Sequence, residues 1–397
     1  MKSALPALAV VLAVVLVPAA ASRPVSSAPV KKARTFKTRA ISFLAADGTR
    51  VAAVTSGPIT DKVFRSYCER VGVWNVAKKT SKPVLFKTGV CPHESAVNKM
   101  LGLAVAGKRI AWLGASGGNS LEMGIGVVTL GAKKGRVVTA ASASNQNGAE
   151  EYPDGTYVGN LAGKGSLLAF NYWGICTAVP LGGEDDMASC GQPAPGGEEV
   201  EFLTDQQLRK VVGKKSAAIA AAPNRQMGTF DYGDGGSTDH ALPAVWVDGG
   251  RILVQQSDTQ LTIYSAGGSV LKQITAVPST TFTNTVLQGS QLLTSRSNNT
   301  LALYNAHTGA FVKTVRVKGN DVELRDLQSG LAVYLDYNHL HVVRLADGKR
   351  FTLTLSENLV DARIEAAGLY YAYNVGKGAY RGRVAFVPFA KVVKKLH

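Results

Sequence analysis

The sequence predicts an all-β fold, and three observations support this prediction. Short segments of alternating apolar and polar residues recur along most of the chain, each bounded by Gly, Asn, Asp or Ser. From residue 242 onward these segments form groups of four, and the group repeats roughly every 40 residues. The chain has 397 residues, and one hydrophobic core usually supports only about 250 to 300, so a repetitive architecture is expected.

One repeat unit can be followed through residues 285–317. Its four strand-like segments are Thr285–Leu287, Gln291–Ser295, Leu301–Asn305 and Ala310–Val317, with tight turns between them. The next unit, residues 322–355, has the same order. Four antiparallel strands at this period are typical of a β-propeller blade, whose small sheet packs against the blades on either side.

These repeats resemble the propellers with WD-like, YVTN-like or quinoprotein-like repeats. The resemblance is plainest at Leu303-Tyr304-Asn305-Ala306-His307-Thr308-Gly309 and at Val343-Arg344-Leu345-Ala346-Asp347-Gly348. The Gly-His and Trp-Asp pairs of true WD repeats are absent, and so are the regular tryptophans of quinoprotein repeats. The resemblance therefore implies a fold and no cofactor.

The remaining units complete a ring of seven blades. Residues 244–274 form the unit before these two, and residues 361–389 form a last unit with three clear strands. We expect Thr35–Ala40 to supply the missing strand, because pairing the two chain ends removes an exposed sheet edge. The first blade is predicted at Ile41–Ala46, Arg50–Thr55, Arg70–Val76 and Pro83–Lys87. The second is predicted at Leu101–Ala106, Arg109–Leu113, Gly124–Leu130 and Arg136–Ala140, and the third at Tyr157–Leu161, Ser166–Tyr172, Glu199–Leu203 and Leu208–Val212.

Long insertions distinguish the first three blades from the other four. In each of them a long loop joins the second strand to the third, and further long stretches join one blade to the next. Successive strands are antiparallel, so both kinds of loop emerge on the same face. Enlarged loops on one face of a repeat scaffold are the usual binding surface.

The N-terminus has the pattern of a signal peptide. Lys2 precedes the apolar run Ala4–Val17, which ends at the small residues Ala19–Ala21. We expect residues 1–21 to be cleaved, residues 22–34 to be a flexible leader, and residues 35–397 to form a single propeller domain. The mature chain is expected to be secreted or associated with the cell envelope, without a transmembrane segment.

The four cysteines fit an exported protein with disulfide bonds. Cys68 is placed in the loop between the second and third strands of blade 1, and Cys91 in the connection to blade 2, so both belong to the same face. Cys176 and Cys190 lie in one inserted loop. Pairing Cys68 with Cys91 and Cys176 with Cys190 satisfies the architecture, whereas the other pairings need contacts between non-adjacent blades. Metal ligation is the rival interpretation, although no C-x-x-C spacing occurs.

Charge is distributed unevenly. The chain carries a net charge of +16, whereas residues 141–240 hold thirteen Asp and Glu against six Lys and Arg. The basic remainder could attract an anionic cell-envelope polymer, or it could be solvated surface charge that keeps the protein soluble. Nucleic acid is not an expected partner, because basic and aromatic residues do not interleave as a stacking platform requires.

Candidate site residues come from the enlarged loops. The ligand-binding candidates are Tyr67, His93, Glu151, Tyr152, Trp173, Asp185, Tyr232 and His240. The aromatic ones could stack on sugars or anchor a protein, or each could cover the small core of its own loop. Asp231, Asp234 and Asp239 provide oxygen ligands for a possible structural Ca²⁺, although the loop lacks EF-hand spacing and could be a polar loop without metal. No catalytic residue is assigned, because the G-x-S-x-G match around Ser116 is not followed by the helix that a nucleophile elbow requires.

The sequence favours a non-enzymatic binding protein. Its ligand would be an extracellular protein or glycan, bound by the loop-rich face of the first three blades. The alternative is a polysaccharide-active enzyme, of glycosidase or lyase type, that uses paired carboxylates among Glu150, Glu151, Asp154 and Asp185. A third hypothesis is an envelope structural protein held by its basic body, whose attachment would be sensitive to salt.

Overall fold

The protein is a seven-bladed β-propeller, seen here in a computed structural model. The structure describes residues 33–396 except 60–66, 79–81, 92–97, 118–120, 132–137, 146–154, 179–199, 227–243, 279, 297–298, 320, 356–357 and 377–380. The predicted signal peptide and nearly all of the predicted leader lie outside the described residues. None of the described helices has the length or the apolar character needed to cross a membrane.

Each blade consists of four antiparallel strands, and the pairing of Asn145 with Gly155 joins the sheets of blades 2 and 3. Blade 1 consists of β2 (Ile41–Asp47), β3 (Arg50–Ile59), β4 (Tyr67–Asn75) and β5 (Val84–Lys87). Blade 2 consists of β6 (Lys99–Ala106), β7 (Arg109–Gly117), β8 (Leu121–Thr129) and β9 (Val138–Asn145). Blade 3 consists of β10 (Gly155–Lys164), β11 (Leu167–Ala178), β12 (Val200–Val212) and β13 (Lys215–Ala221), with the short β14 (Arg225–Gln226) beside β12.

The last four blades are more regular. Blade 4 consists of β15 (Ala244–Asp248), β16 (Arg251–Ser257), β17 (Gln260–Ser265) and β18 (Val270–Thr275). Blade 5 consists of β19 (Thr283–Gln288), β20 (Gln291–Arg296), β21 (Thr300–Asn305) and β22 (Phe311–Arg316). Blade 6 consists of β23 (Glu323–Gln328), β24 (Leu331–Asp336), β25 (His339–Arg344) and β26 (Arg350–Thr354). Blade 7 consists of β27 (Asn358–Glu365), β28 (Gly368–Val375), β29 (Arg381–Pro388) and β1 (Arg34–Arg39), and the short helix α1 (Phe389–Val393) follows β29.

The first strand of every blade lies innermost, and these seven strands touch one another in a closed ring. Each of the seven junctions between neighbouring blades has its own cluster of buried apolar side chains. Alternation along the strands supplies both sides of a blade. In β24, Leu331, Val333 and Leu335 face blade 7, whereas Ala332 and Tyr334 face blade 5. The core is therefore a set of layers between sheets rather than one central mass.

The N-terminal strand closes the ring, as the sequence predicts. β1 pairs with β29 from Arg34 opposite Phe386 to Arg39 opposite Arg381. The side chain of Asn374 then bridges to blade 1, where its Oδ1 accepts the N–H of Ile41 at 2.8 Å and its Nδ2 donates to the carbonyl of Ile41 at 2.9 Å. Phe36 packs without exposure in the junction between blades 7 and 1.

Three predictions about the N-terminal blades are wrong in detail. Leu208–Val212 and the described residues 200–203 of the predicted strand Glu199–Leu203 belong to the single strand β12, and the fourth strand is β13. β12 continues across residues 204–207, where its pairing with β11 shifts register and Asp205 has a positive φ of 48°. The predicted insertion of blade 2 is mostly extended strand, because β7 and β8 continue to Gly117 and from Leu121. Cys68 lies within β4 rather than in the loop before it.

Candidate functional site

A cleft lies between blades 1 and 2, toward the face on which the long hairpins of the first three blades project. Its volume is about 740 Å³, within the usual range of ligand pockets. Blade 1 contributes the segment Thr88–Val90, which follows its short outermost strand. Blade 2 contributes the extended ends of β7 and β8 together with Thr139 of β9, and Thr156 of blade 3 completes the lining.

Glycines give this cleft its depth. On the side of blade 2 that faces blade 1, Gly114 pairs with Gly124, and Trp112 pairs with Gly126. A Cβ atom at Gly126 would lie 2.5 Å from the indole of Trp112, so only glycine lets that ring lie against the strand. Glycine inside a strand commonly marks such a close approach. The sheet surface in the cleft therefore carries few projecting side chains.

One wall of the cleft is fixed by a disulfide and by hydrogen bonds. Cys68 of β4 is bonded to Cys91, directly after the lining segment. The N–H of Glu69 donates to the carbonyl of Val90 at 2.8 Å, and Oγ1 of Thr88 donates to the carbonyl of Glu69 at 2.8 Å. Oγ1 of Thr88 also accepts the N–H of Val90 at 3.2 Å. Residues 88–91 are thus held to β4 along their whole length.

The side chain of Glu69 is buried behind this wall. Its Oε1 accepts a hydrogen bond from Oγ of Ser42 at 3.4 Å, whereas Oε2 has no hydrogen-bond partner among the described residues. Burial raises the pKa of Glu69 to about 7, and hydrogen bonds from the backbone of Met100 and from Ser42 counteract only part of that rise. The carboxyl group therefore titrates near neutral pH. It does not line the cleft, so we regard it as part of the cleft's support.

The chemistry of the cleft is that of hydrogen bonding with little charge. Thr88, Ser116, Thr139 and Thr156 bring hydroxyl groups, and Glu122 is the one carboxylate among the described lining residues. Ser116 pairs with Glu122 across β7 and β8. Among the described lining residues there is no histidine. The described part of the cleft therefore offers hydroxyl groups and one carboxylate for hydrogen bonding.

No protein-family model and no curated protein matches this chain. Its likeness to solved structures is one of fold. The chain is similar to the WD40 β-propeller domain of Doa1, with 12% sequence identity and a TM-score of 0.45. The match covers 91% of this chain and 96% of that one. The propeller architecture stated above rests on the strand pairing of this chain.

The axis of the propeller holds a second group of charged residues, in a cavity of about 120 Å³. Nζ of Lys164 lies 3.2 Å from Oε1 of Glu365, and both side chains are buried. Asp326 accepts the N–H groups of Leu327 and Ile364, each at 2.8 Å. These carboxylates are committed to partners within the protein, and the cavity is smaller than the usual ligand pocket of about 300 to 1,000 Å³. The axial cluster is therefore structural.

Burial and neighbouring charges shift the pKa values of the axial cluster. Burial raises the pKa values of both Asp326 and Glu365, and Lys164 only partly offsets this. Burial alone would lower the pKa of Lys164, but the nearby carboxylates of Asp326 and Glu365 reverse the effect and raise it. Arg363 lines the same cavity and also counteracts the rise in the pKa of Asp326, so two cations face the two carboxyl groups.

Most of the sequence-predicted site residues lie outside the described residues. This holds for His93, Glu151, Tyr152, Asp185, Tyr232 and His240, for the calcium candidates Asp231, Asp234 and Asp239, and for the alternative acid–base candidates Glu150 and Asp154. Cys176 is disulfide-bonded, but its predicted partner Cys190 also lies outside them. For Tyr67 the structure describes the backbone at the start of β4. Their roles in binding stay predictions.

Trp173 is the one predicted ligand-binding residue whose side chain lies in the described part of the chain. It is 8% exposed and stacks on Tyr157 with ring centroids 5.5 Å apart. It shares a small apolar cluster with Ile175 and Leu203 at the root of the blade 3 hairpin. In the described residues Trp173 thus covers the core of its own hairpin, which is one of the two roles expected for it.

Sequence reasoning missed the residues that line the cleft. A signal was present in Gly124 and Gly126, which alternate with Ile125 inside a strand and so mark a bare strip on one face of the sheet. The predicted pairing of Cys68 with Cys91 places the segment Thr88–Val90 near β4, but its exposure toward blade 2 also depends on the shortness of β5, which the sequence does not show.

Proposed function

We propose that this protein is an exported, non-enzymatic propeller that binds an extracellular glycan through the loop-rich face of its first three blades. The cleft between blades 1 and 2 would be the core of that site. The observation that carries the proposal is the cleft's lining of hydroxyl groups around a single carboxylate. Hydroxyl groups and exposed backbone suit a neutral ligand that is itself rich in hydroxyl groups.

Export is supported by the disulfide chemistry and by the N-terminal sequence. Disulfides persist in oxidising compartments, and Cys68, Cys91 and Cys176 are all disulfide-bonded. The apolar run between Lys2 and Ala21 has the length and the small-residue ending of a cleaved signal. A propeller with disulfide bonds and a signal peptide would meet its ligand outside the cell or at the cell envelope.

A screen of the oxidised mature protein against neutral cell-wall and plant glycans, read by thermal shift and then by calorimetry, tests the proposal. Removing the carboxylate with Glu122→Ala, or a hydroxyl with Thr139→Ala, should weaken binding of the selected glycan by about fivefold to tenfold. Glu122 and Thr139 are exposed, so the fold should tolerate both changes.

Matched controls exist on other blades. Asp258→Ala removes an exposed carboxylate from the corresponding hairpin turn of blade 4, and Thr275→Ala removes an exposed hydroxyl from an outermost strand. Both should leave the affinity within about twofold. If no glycan binds, or if the controls weaken binding as much as the cleft variants, the cleft is not the site. Capture of a specific extracellular protein by this face would then favour the protein-ligand form of the hypothesis.

A further inference from the structure

A basic groove lies on the opposite face of the propeller, at the bottom of the same junction between blades 1 and 2. Its volume is about 500 Å³, and four basic residues line it: Arg50, Lys78, Lys82 and Lys108. They come from the turn between the first and second strands of each blade and from the connection between the third and fourth strands of blade 1. Because successive strands are antiparallel, these turns lie on the face opposite the hairpins that border the cleft.

Strand pairing and hydrogen bonds position three of these four residues, Arg50, Lys78 and Lys108. Arg50 pairs with Asn75 at the end of β4, and the N–H of Val76 donates to the carbonyl of Thr49 at 2.9 Å, which fixes the start of the segment that carries Lys78. The carboxylate of Asp47 accepts the N–H of Gly107 at 2.6 Å, so the turn that carries Lys108 is held against blade 1. The groove is therefore preformed by the fold.

The positive charge of the groove is not neutralised within the described part of the chain. None of its four basic residues forms an ion pair there, whereas Arg251, Arg325 and Arg344 elsewhere do. Asp47 is the acidic residue nearest to Arg50 in sequence. Its carboxylate accepts hydrogen bonds from the N–H groups of Gly107 and Gly165, at 2.6 and 2.9 Å. The described lining contains no Asp or Glu. Like charges gathered in this way favour an anionic ligand.

An apolar wall accompanies the charges. Val84 is 55% exposed on the outermost strand of blade 1, and Phe86 lies beside it, half-buried. A single inorganic anion would use neither this wall nor all four cations. A ligand with several anionic groups and one apolar face would use both, and a sugar ring provides such a face. We propose that the basic groove binds an oligosaccharide that carries two or more sulfate or phosphate groups.

Calorimetry with a sulfated tetrasaccharide tests this proposal, with its desulfated form, inorganic sulfate and ATP as comparison ligands. The sulfated sugar should bind, and its affinity should fall as salt is raised, whereas the desulfated form should not bind measurably. The double variant Lys78→Ala/Lys82→Ala should weaken binding at least about tenfold. Lys214→Ala/Lys215→Ala, which removes an exposed lysine pair from the corresponding turn of blade 3, should change it by less than about twofold.

A second pair of variants tests the groove without removing a lysine. Val84→Glu places a carboxylate in the groove and should also weaken binding at least about tenfold, because it repels the ligand and occupies the lysines. Val212→Glu, at a site that is 51% exposed on blade 3, is its control and should have little effect. Glu122→Ala in the cleft should leave the affinity for the sulfated tetrasaccharide unchanged. A failure of the groove proposal can therefore be distinguished from a failure of the cleft proposal.

Three results would overturn the proposal. Equal losses from the two lysine pairs would mean that diffuse surface charge attracts the sugar. Inorganic sulfate that binds as tightly as the tetrasaccharide would reduce the groove to a simple anion site. ATP that binds more tightly than the sulfated sugar would assign the groove to a nucleotide instead.

Discussion

The buried carboxyl group of Glu69 makes a quantitative prediction about stability and pH. Its pKa rises from the ordinary 4.5 to about 7 in the folded protein. Below about pH 4.5 the group is protonated in both the folded and the unfolded chain, so it costs the fold nothing. As the pH rises toward 7, the unfolded chain ionises first, and the folded state loses relative stability. Above pH 7 the full cost is present.

The size of this effect follows from the shift. One pKa unit corresponds to about 1.4 kcal/mol, so the upper limit for the change between pH 5 and pH 8 is about 2.5 kcal/mol. We expect about 1 to 2 kcal/mol, because local relaxation lowers the cost of the buried charge. Glu69→Gln keeps the shape and cannot ionise. An amide N–H at the position of Oε2 would lack a partner at every pH, and this constant cost cancels when two pH values are compared.

Urea unfolding at pH 5 and pH 8, with disulfides intact and tryptophan fluorescence as the signal, measures the effect. The stability of Glu69→Gln relative to the natural protein should rise by about 1 to 2 kcal/mol from pH 5 to pH 8. Other titrating groups occur in both proteins and cancel. The exposed neighbour variant Glu122→Gln should show no such rise. If the two proteins differ by the same amount at both pH values, Glu69 is not desolvated and the reasoning is wrong.

Three further changes test the packing around the site and the axis. Replacing both residues of the Cys68–Cys91 disulfide with serine opens a loop with a sequence separation of 23 and should cost about 3 kcal/mol in urea unfolding, with faster proteolysis near residue 90 as a second readout. Gly126→Ala should destabilise the fold by about 2 kcal/mol or more in the same assay, because its Cβ meets the indole of Trp112, and a change below about 0.5 kcal/mol would contradict this contact. Lys164→Met should cost about 3 to 5 kcal/mol, since buried carboxyl groups lose their cation, and adding Glu365→Leu should recover part of that loss; no recovery would mean that the ion pair is not the cause.

The blades could be predicted from sequence because each strand and turn is determined by residues that are close together in the chain. The strands of blades 5 and 6 are short runs rich in apolar residues, and a turn such as Ser329-Gly330, with both residues at positive φ, separates one strand from the next. The positions of these strands and turns need no knowledge of distant contacts. Ring closure by β1 is a distant contact, but the missing fourth strand in blade 7 predicts it.

Blade 3 shows why the prediction of strand boundaries from sequence fails. β13 has the sequence Lys-Ser-Ala-Ala-Ile-Ala-Ala, whose alanines favour a helix in isolation, yet pairing with β12 makes it a strand. The prediction ended one strand at Leu203 and began the next at Leu208, but one strand passes through. There the N–H of Asp205 donates to the side chain of Asn224, and the side chain of Gln206 donates to the carbonyl of Pro223. In both places a contact made by the folded chain overrides the local preference.

The two grooves between blades 1 and 2 could not be predicted, for a related reason. Each depends on one blade ending short of its neighbour, and β5 has only four residues where the facing strands have eight or nine. The basic residues of the groove are scattered through the sequence between residues 50 and 108, and only the register of the turns brings them together. Composition showed an excess of positive charge but not where it gathers.

The closure of blade 7 by β1 sets the order of events during biosynthesis. Arg34 can pair with Phe386 only after nearly the whole chain has been synthesised, so the first six blades form an open arc until then. Until then, the apolar side of blade 1 that will receive Phe36 and Tyr370 stays uncovered. Such distant pairing makes folding slow. Removing β1 or β29 should therefore leave an open arc that aggregates rather than a smaller ring.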